Sequence, residues 1–199
     1  MHDIETPSPW MVRHAVYVKP QSELLDVACG RGRHARFFAA RNVMVTAVDR
    51  DASLLQPLKT VQNVRTEQRD LENDPWPYAE HSFDVVLVCN YLWRPAAREL
   101  LATVKPGGLL LYETFMAGNE MYGKPSRPEF LLRPNELAQW VYGDFRVIAF
   151  DQMPERGADG KPVAMKQRIA AIRNLPEVEG GSPPAAPEPG RSGDPAKPQ

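Results

Sequence analysis

Between Asp26 and His34 the chain packs a carboxylate, two glycines, two arginines, a cysteine and a histidine into one short run. The apolar residues before it, Leu24-Leu25, read as a strand. Ala35-Arg36-Phe37-Phe38-Ala39-Ala40 after it reads as a helix. The order is therefore strand, tight loop, helix. Gly30 and Gly32 allow a left-handed backbone and let a ligand come close to it. The first turn of the helix behind them aims free N–H groups at the same spot. This is the opening of a βαβ nucleotide site, with Ala35 where the third glycine of the pattern would stand.

Asp26 narrows the ligand. A pyrophosphate against this loop would be repelled by a carboxylate just upstream. S-adenosylmethionine has no phosphate; it carries an ammonium, a sulfonium and a single carboxylate. Asp26 suits the ammonium, and Arg33 could take the carboxylate as a charge-assisted pair. Two more acids are expected at the same sheet edge. Asp49 ends the second strand about twenty residues past the glycines, the spacing at which an acid meets ribose hydroxyls. Asp70 ends the third; it would take the adenine amino group, with the backbone N–H of Leu71 on a ring nitrogen. Strand tips placing three acids around one polar ligand explain a pattern that folding alone does not, because burying an acid is costly unless it is paired.

Methyl transfer from such a cofactor is an in-line displacement, so holding the nucleophile in place does most of the work. A low-pKa acceptor needs no protein base; an amine or hydroxyl does. His34, beside the glycine loop, is the first candidate base, with a local hydrogen bond at the helix start as its alternative. Asn90 and Tyr91 leave the fourth strand where the methyl would be presented, and Glu113 ends the fifth. Arg94, Arg127 and Arg133 could bind an anionic substrate, and Tyr122 could serve as a lid residue. Trp10 and Arg13 could cover the cofactor, with core packing as the other role for Trp10. His14 is expected on a helix surface. Cys29 and Cys89 are expected as buried free thiols at the ends of neighbouring strands, where a redox role is also conceivable; their spacing is not that of a metal site.

These residues need elements to hold them. Ser8-Pro9 reads as a cap and first turn for a short helix ending before Lys19-Pro20. Strands are expected at Glu23–Val27, Val43–Val48, Val64–Arg69, Phe83–Val88 and Leu109–Glu113, with helices from the glycine loop to Arg41 and from Pro95 to Val104. The near-continuous apolar run Phe83–Val88 fits a central parallel strand buried on both faces. Lys105-Pro106-Gly107-Gly108 is expected as a turn. A long loop spans Thr114 to Arg133, a helix runs from Pro134 to about Val141, and Phe145–Phe150 with Ala164–Arg173 reads as an antiparallel hairpin. From Leu175 to Gln199 the Pro, Gly and Ala content predicts a disordered tail, leaving one domain over residues 1–174.

The chain has 199 residues and a formal net charge of −1, which offers no field for nucleic acid or an anionic membrane. No apolar run is long enough to span a bilayer, and Met1-His2-Asp3-Ile4-Glu5 does not begin a signal peptide, so a cytoplasmic protein is expected.

Taken together, Asp26–Gly32, Asp49, Asp70-Leu71, Ser82–Val86 and Lys105–Gly108 resemble the successive motifs of the class I S-adenosylmethionine-dependent methyltransferases. More loosely, Cys29–Arg33 and Phe130–Leu137 resemble the small tellurite-resistance-type members. The resemblance implies an α/β fold: a Rossmann-like, seven-stranded, mostly parallel sheet with helices on both faces and an antiparallel C-terminal hairpin. It implies methylation of a small molecule such as a thiol, a chalcogen oxyanion or another soft nucleophile, with S-adenosylmethionine as cofactor and no metal. The alternatives are a protein or RNA methyltransferase working through the 114–133 loop, and a non-catalytic S-adenosylmethionine-binding module. The cofactor-binding set is Asp26, Gly30, Gly32, Arg33, Asp49, Asp70, Leu71 and Asn90. His34, Tyr91 and Glu113 are the catalytic candidates, and Tyr91, Arg94 and Tyr122 the substrate candidates.

Overall fold

A computed structural model describes residues 6–176. The tail expected to be disordered lies outside them, apart from Leu175 and Pro176. Seven strands form one sheet: β1 Glu23–Val27, β2 Met44–Asp49, β3 Val64–Gln68, β4 Phe83–Cys89, β5 Val104–Phe115, β6 Phe145–Arg156 and β7 Pro162–Arg173. Their order is β3-β2-β1-β4-β5-β7-β6. The first five are parallel, and β7 pairs antiparallel with both β5 and β6. Chain order reverses between β1 and β4, and ligands of such sheets bind in the crevice at that switch point.

Alternation along the central strands feeds two apolar layers. Leu24, Val45, Ala47, Val85 and Leu87 pack under α1 (Pro9–His14), α2 (Arg33–Ala39) and α3 (Ala52–Leu55). Leu25, Val27, Val86, Val88 and Tyr112 pack on the other face under α4 (Ala97–Ala102) and α5 (Glu136–Val141). No helix among the described residues is long and apolar enough to cross a membrane. Ser8 caps α1 as expected: its hydroxyl accepts from the Trp10 N–H at 3.2 Å.

Five expectations need correction. Lys105-Pro106-Gly107-Gly108 is not a free turn but part of β5. Phe83 pairs with Val104 and Val85 with Leu109, so those four residues bulge opposite Asp84, and Gly107 takes φ +76° there. The helix after the glycine loop stops at Ala39 rather than Arg41, and the one expected from Pro95 opens with a 3-10 turn over Arg94–Ala96. The 114–133 segment is not structureless. It holds 3-10 turns at Asn119–Met121 and Pro128–Phe130 and a bridge between Met116 and Leu132. His14 is not a surface residue: it is 4% exposed, its Nδ1 lies 2.9 Å from the Trp10 carbonyl oxygen, and its ring packs on Trp10.

The corner between β1 and α2 is the tightest place in the fold. Ala28, Gly30 and Gly32 all have positive φ, at 52°, 56° and 73°. A Cβ at Gly32 would collide with the Leu58 side chain as well as strain the backbone. Gly32→Ala should therefore lower the melting temperature by about 5–10 °C, from strain and overpacking together. A calorimetric scan checks this; an unchanged melting temperature would mean the corner relaxes freely.

Candidate active site

Two cavities open at the C-terminal ends of β1, β2 and β4, and Ala28 lines both. The larger, about 310 Å³, is walled by Asp26, Cys29, Gly30, Arg33, His34, Cys89 and Asn90, among others. The smaller, about 170 Å³, is walled by Asp49, Arg50, Asp70, Leu71, Glu72 and Tyr91. Of the three strand-tip acids, Asp26 lines the larger chamber and Asp49 and Asp70 bound the smaller.

Asp26 sits on the central strand, 1% exposed, between Ala47 of β2 and Leu87 of β4. It accepts the Ala35 N–H, while its Oδ2 has no hydrogen-bond partner. Burial raises its pKa from 3.8 to about 7, against the lowering effects of the Ala35 amide and the Arg33 guanidinium. A buried acceptor left open is the exception in folded proteins and marks a place where a donor belongs.

Asp49 accepts from the Gly30 N–H at 2.8 Å and the Asp51 N–H at 3.0 Å, which ties the glycine loop to β2. Asp70 accepts from the Glu72 N–H and from Asn73 through its N–H and its Nδ2; these bonds hold its carboxyl below the usual range. Its carboxylate is thus already engaged in a local turn before any ligand is considered. Leu71 is buried and lines the same chamber. The Tyr91 hydroxyl is buried and also lacks a partner. Burial keeps it neutral, and the charges of Glu72 and Asp70 act in the same direction.

The catalytic candidates separate sharply. His34 lines the larger chamber, but its Nε2 accepts the Ser8 N–H at 3.1 Å, and burial lowers its pKa to about 3. The expected local bond is in fact a long-range one, and it occupies the lone pair a base would need. Glu113 is 1% exposed and is not part of the cavity wall. It accepts from Ser8 Oγ at 2.8 Å, Lys166 Nζ at 2.9 Å and Arg168 Nε at 2.9 Å. Burial would raise its pKa; Lys166 and Arg168 outweigh that and hold it at about 2. It is an ionised hub, not a proton acceptor.

Of the substrate candidates, only Tyr91 reaches the cleft. Arg94 is bound to Glu136 at 2.6 Å and to the carbonyls of Glu129 and Leu131, so it pins the 114–133 segment rather than facing a ligand. Tyr122 is exposed and lines neither chamber. Arg127 pairs with Glu129 at the surface, and Arg133 lends its N–H to Glu136. Trp10 is buried and donates to the Ile169 carbonyl, so it is core; Arg13 is exposed. Cys29 and Cys89 are free thiols in the same chamber. Burial drives both pKa values up, that of Cys89 to about 12. Among the described residues no cluster of three or more ligating side chains could hold a metal.

Sequence reasoning missed Ser8 as more than a cap, and it missed Lys166. A signal was present: Lys166-Gln167-Arg168 interrupts an otherwise apolar strand, and a buried strand carries charge only where an opposite charge awaits it.

Comparisons with known proteins bear on the fold. Residues 24–108 match the family described as a methyltransferase domain. TehB from Haemophilus influenzae superposes with a TM-score of 0.67 at 18% identity, over 84% of this chain and 62% of that one. The fold is that of the class I S-adenosylmethionine-dependent methyltransferases. A second structure, the Burkholderia thailandensis 1,6-didemethyltoxoflavin-N1-methyltransferase with bound S-adenosylhomocysteine, gives a TM-score of 0.58 at 19% identity, over 83% of this chain and 76% of that one. Malonyl-[acyl-carrier protein] O-methyltransferase of Serratia marcescens is 35% identical over 106 residues, half of this chain. The aligned stretch spans 41% of that relative's length.

The Glu113 hub has a pH signature. Its pKa is depressed from 4.5 to about 2, so its stabilisation is complete above 4.5 and is lost as pH falls towards 2. Glu113→Gln should cost about 3–5 kcal/mol at pH 7, by leaving buried cations uncompensated. Urea titrations should show the gap to the parent protein narrowing between pH 5 and pH 2.5; a constant gap would mean the carboxylate is not ionised in the fold.

Proposed function

We propose that this protein is an S-adenosylmethionine-dependent methyltransferase acting on a small molecule whose acceptor atom is a soft or already ionised nucleophile. The observation that carries this reading is Asp26: a carboxylate 1% exposed on the central strand, with one oxygen unpartnered in a chamber that also holds Arg33. A cationic donor completes it, and an anionic phosphate would not.

The residues present fit that cofactor. Asp26 would accept from its ammonium, and Arg33 would pair with its carboxylate. Asp49, beside Gly30, would take the ribose hydroxyls. Asp70, Leu71 and the open Tyr91 hydroxyl would receive the adenine end, and Asn90 would line the join between them. The cofactor supplies an electrophilic methyl on a sulfonium. The chain supplies alignment and a desolvated wall, which favour a step in which charge is neutralised. Acceptors that are already ionised, with no proton to give up on methylation, suit a cleft in which His34 is held neutral with its Nε2 occupied. Thiolates, carboxylates and chalcogen oxyanions are such acceptors, and the curated relative named for O-methylation of a malonyl-carrier substrate falls within that class.

Calorimetry tests the reading. Both S-adenosylmethionine and S-adenosylhomocysteine should bind. Asp26 must be ionised to meet the ammonium, and its pKa in the free protein is about 7. Affinity should therefore rise as pH climbs through 7, by about tenfold between pH 6 and pH 8, with proton release at the lower pH. Asp26→Asn should bind weakly and lose that pH dependence. If neither compound binds at any pH, the proposal fails.

A further inference from the structure

The contacts around Ser8 go beyond what capping a six-residue helix requires. Its hydroxyl accepts from the Trp10 N–H and donates to Glu113 Oε2 at 2.8 Å, and its N–H donates to His34 Nε2 at 3.1 Å. Two residues earlier, the Thr6 carbonyl accepts from Arg33 Nη1 at 3.2 Å. Residues 6–8 thus lie across the Arg33-His34 pair, and both of those side chains wall the larger chamber. The contacts close into a ring. Arg33 Nη2 donates to Cys89 Sγ at 3.2 Å, and that sulfur lies 3.7 Å from Glu113 Oε1.

The ring answers a local weakness. Gly32, the N-cap of α2, offers no side-chain cap, so the first turn that presents Arg33 and His34 takes its partners from elsewhere in the chain. Glu113 already has two cationic donors, Lys166 and Arg168, and the Ser8 hydroxyl is a further, neutral one. Neutralising a buried carboxylate explains the cations. It does not explain a bond that reaches 105 residues back to the strap over α2.

We propose that Glu113, acting through the Ser8 hydroxyl, is a positioning residue for the amino-acid end of the cofactor: it fixes the strap that sets Arg33 and His34 in the larger chamber. This inference rests on the cleft being an S-adenosylmethionine site. It divides the cleft into a chamber that depends on the strap and a nucleoside chamber, bounded by Asp49, Asp70 and Tyr91, that does not.

Two ligands separate the chambers. S-adenosylhomocysteine has the amino-acid end; 5′-methylthioadenosine keeps the nucleoside and lacks it. Ser8→Ala in the full chain should raise the Kd for S-adenosylhomocysteine about tenfold, the scale of one lost buried hydrogen bond, and leave that for 5′-methylthioadenosine within about twofold. Ser8→Thr, which keeps the hydroxyl, should restore the parent affinity. A melting scan of each variant shows whether it is folded at the assay temperature, and Glu113→Gln at neutral pH serves as a second probe with the same expected selectivity. Equal weakening of both ligands, or no weakening of either, overturns the proposal while leaving the cofactor site intact. A parent protein that binds neither ligand removes the underlying reading and this inference with it.

Discussion

Everything at the switch point turns on the desolvation of one carboxylate. Asp26 is held at the end of β1 with neighbours on both sides, and the backbone leaves it little water. Burial of a lone acid is unfavourable by several kcal/mol, so a fold keeps one only where something compensates it. Here one oxygen is met by the Ala35 N–H and the other is left open. The positive φ of Ala28 is the backbone's share of the same arrangement, since it turns the chain out of β1 at the residue that lines both chambers. Strained backbone of this kind persists where the surroundings over-determine it, and it concentrates at binding sites.

A second buried carboxylate shows the opposite solution. Glu113 and Asp26 are equally inaccessible, and desolvation pushes both upward. Glu113 has Lys166, Arg168 and Ser8 around it and stays ionised far below neutral pH. Asp26 has a single amide and an arginine whose effect burial outweighs, and it titrates near neutrality. Two buried acids, on β1 and β5 with β4 between them, thus take two states, set by their neighbours rather than by their own chemistry. Glu113 is tied to Ser8 and to the hairpin, whereas Asp26 keeps one oxygen open.

Much of this was readable from the residues, for reasons that can be named. Parallel strands buried on both faces write themselves as apolar runs, so β1, β2 and β4 were plain, and with them the acids Asp26 and Asp49 near the ends of the first two. The glycine corner was plain because few residue types tolerate its backbone. Lys105–Gly108 misled because Pro-Gly-Gly signals a turn locally, whereas pairing to both sides of Asp84 turns it into a bulge within β5. His14 misled because α1 is too short for its pattern to define a face. His34 and Glu113 looked catalytic, and Arg94 looked substrate-binding, because they stand near the right strand ends. Their partners are 26 to 105 residues away, and no local pattern reports a contact that distant.

The state of Asp26 can be read directly. Carbon-13 labelling of the aspartates, with Asp26→Asn to assign the signal, allows its carboxyl resonance to be followed through a pH titration with and without S-adenosylhomocysteine. The expected midpoint is about 7 in the free protein, falling by at least two pH units in the complex as the ammonium meets the open oxygen. A midpoint near 4 in the free protein, or one that S-adenosylhomocysteine leaves unmoved, would contradict the role assigned to this residue and with it the cofactor site.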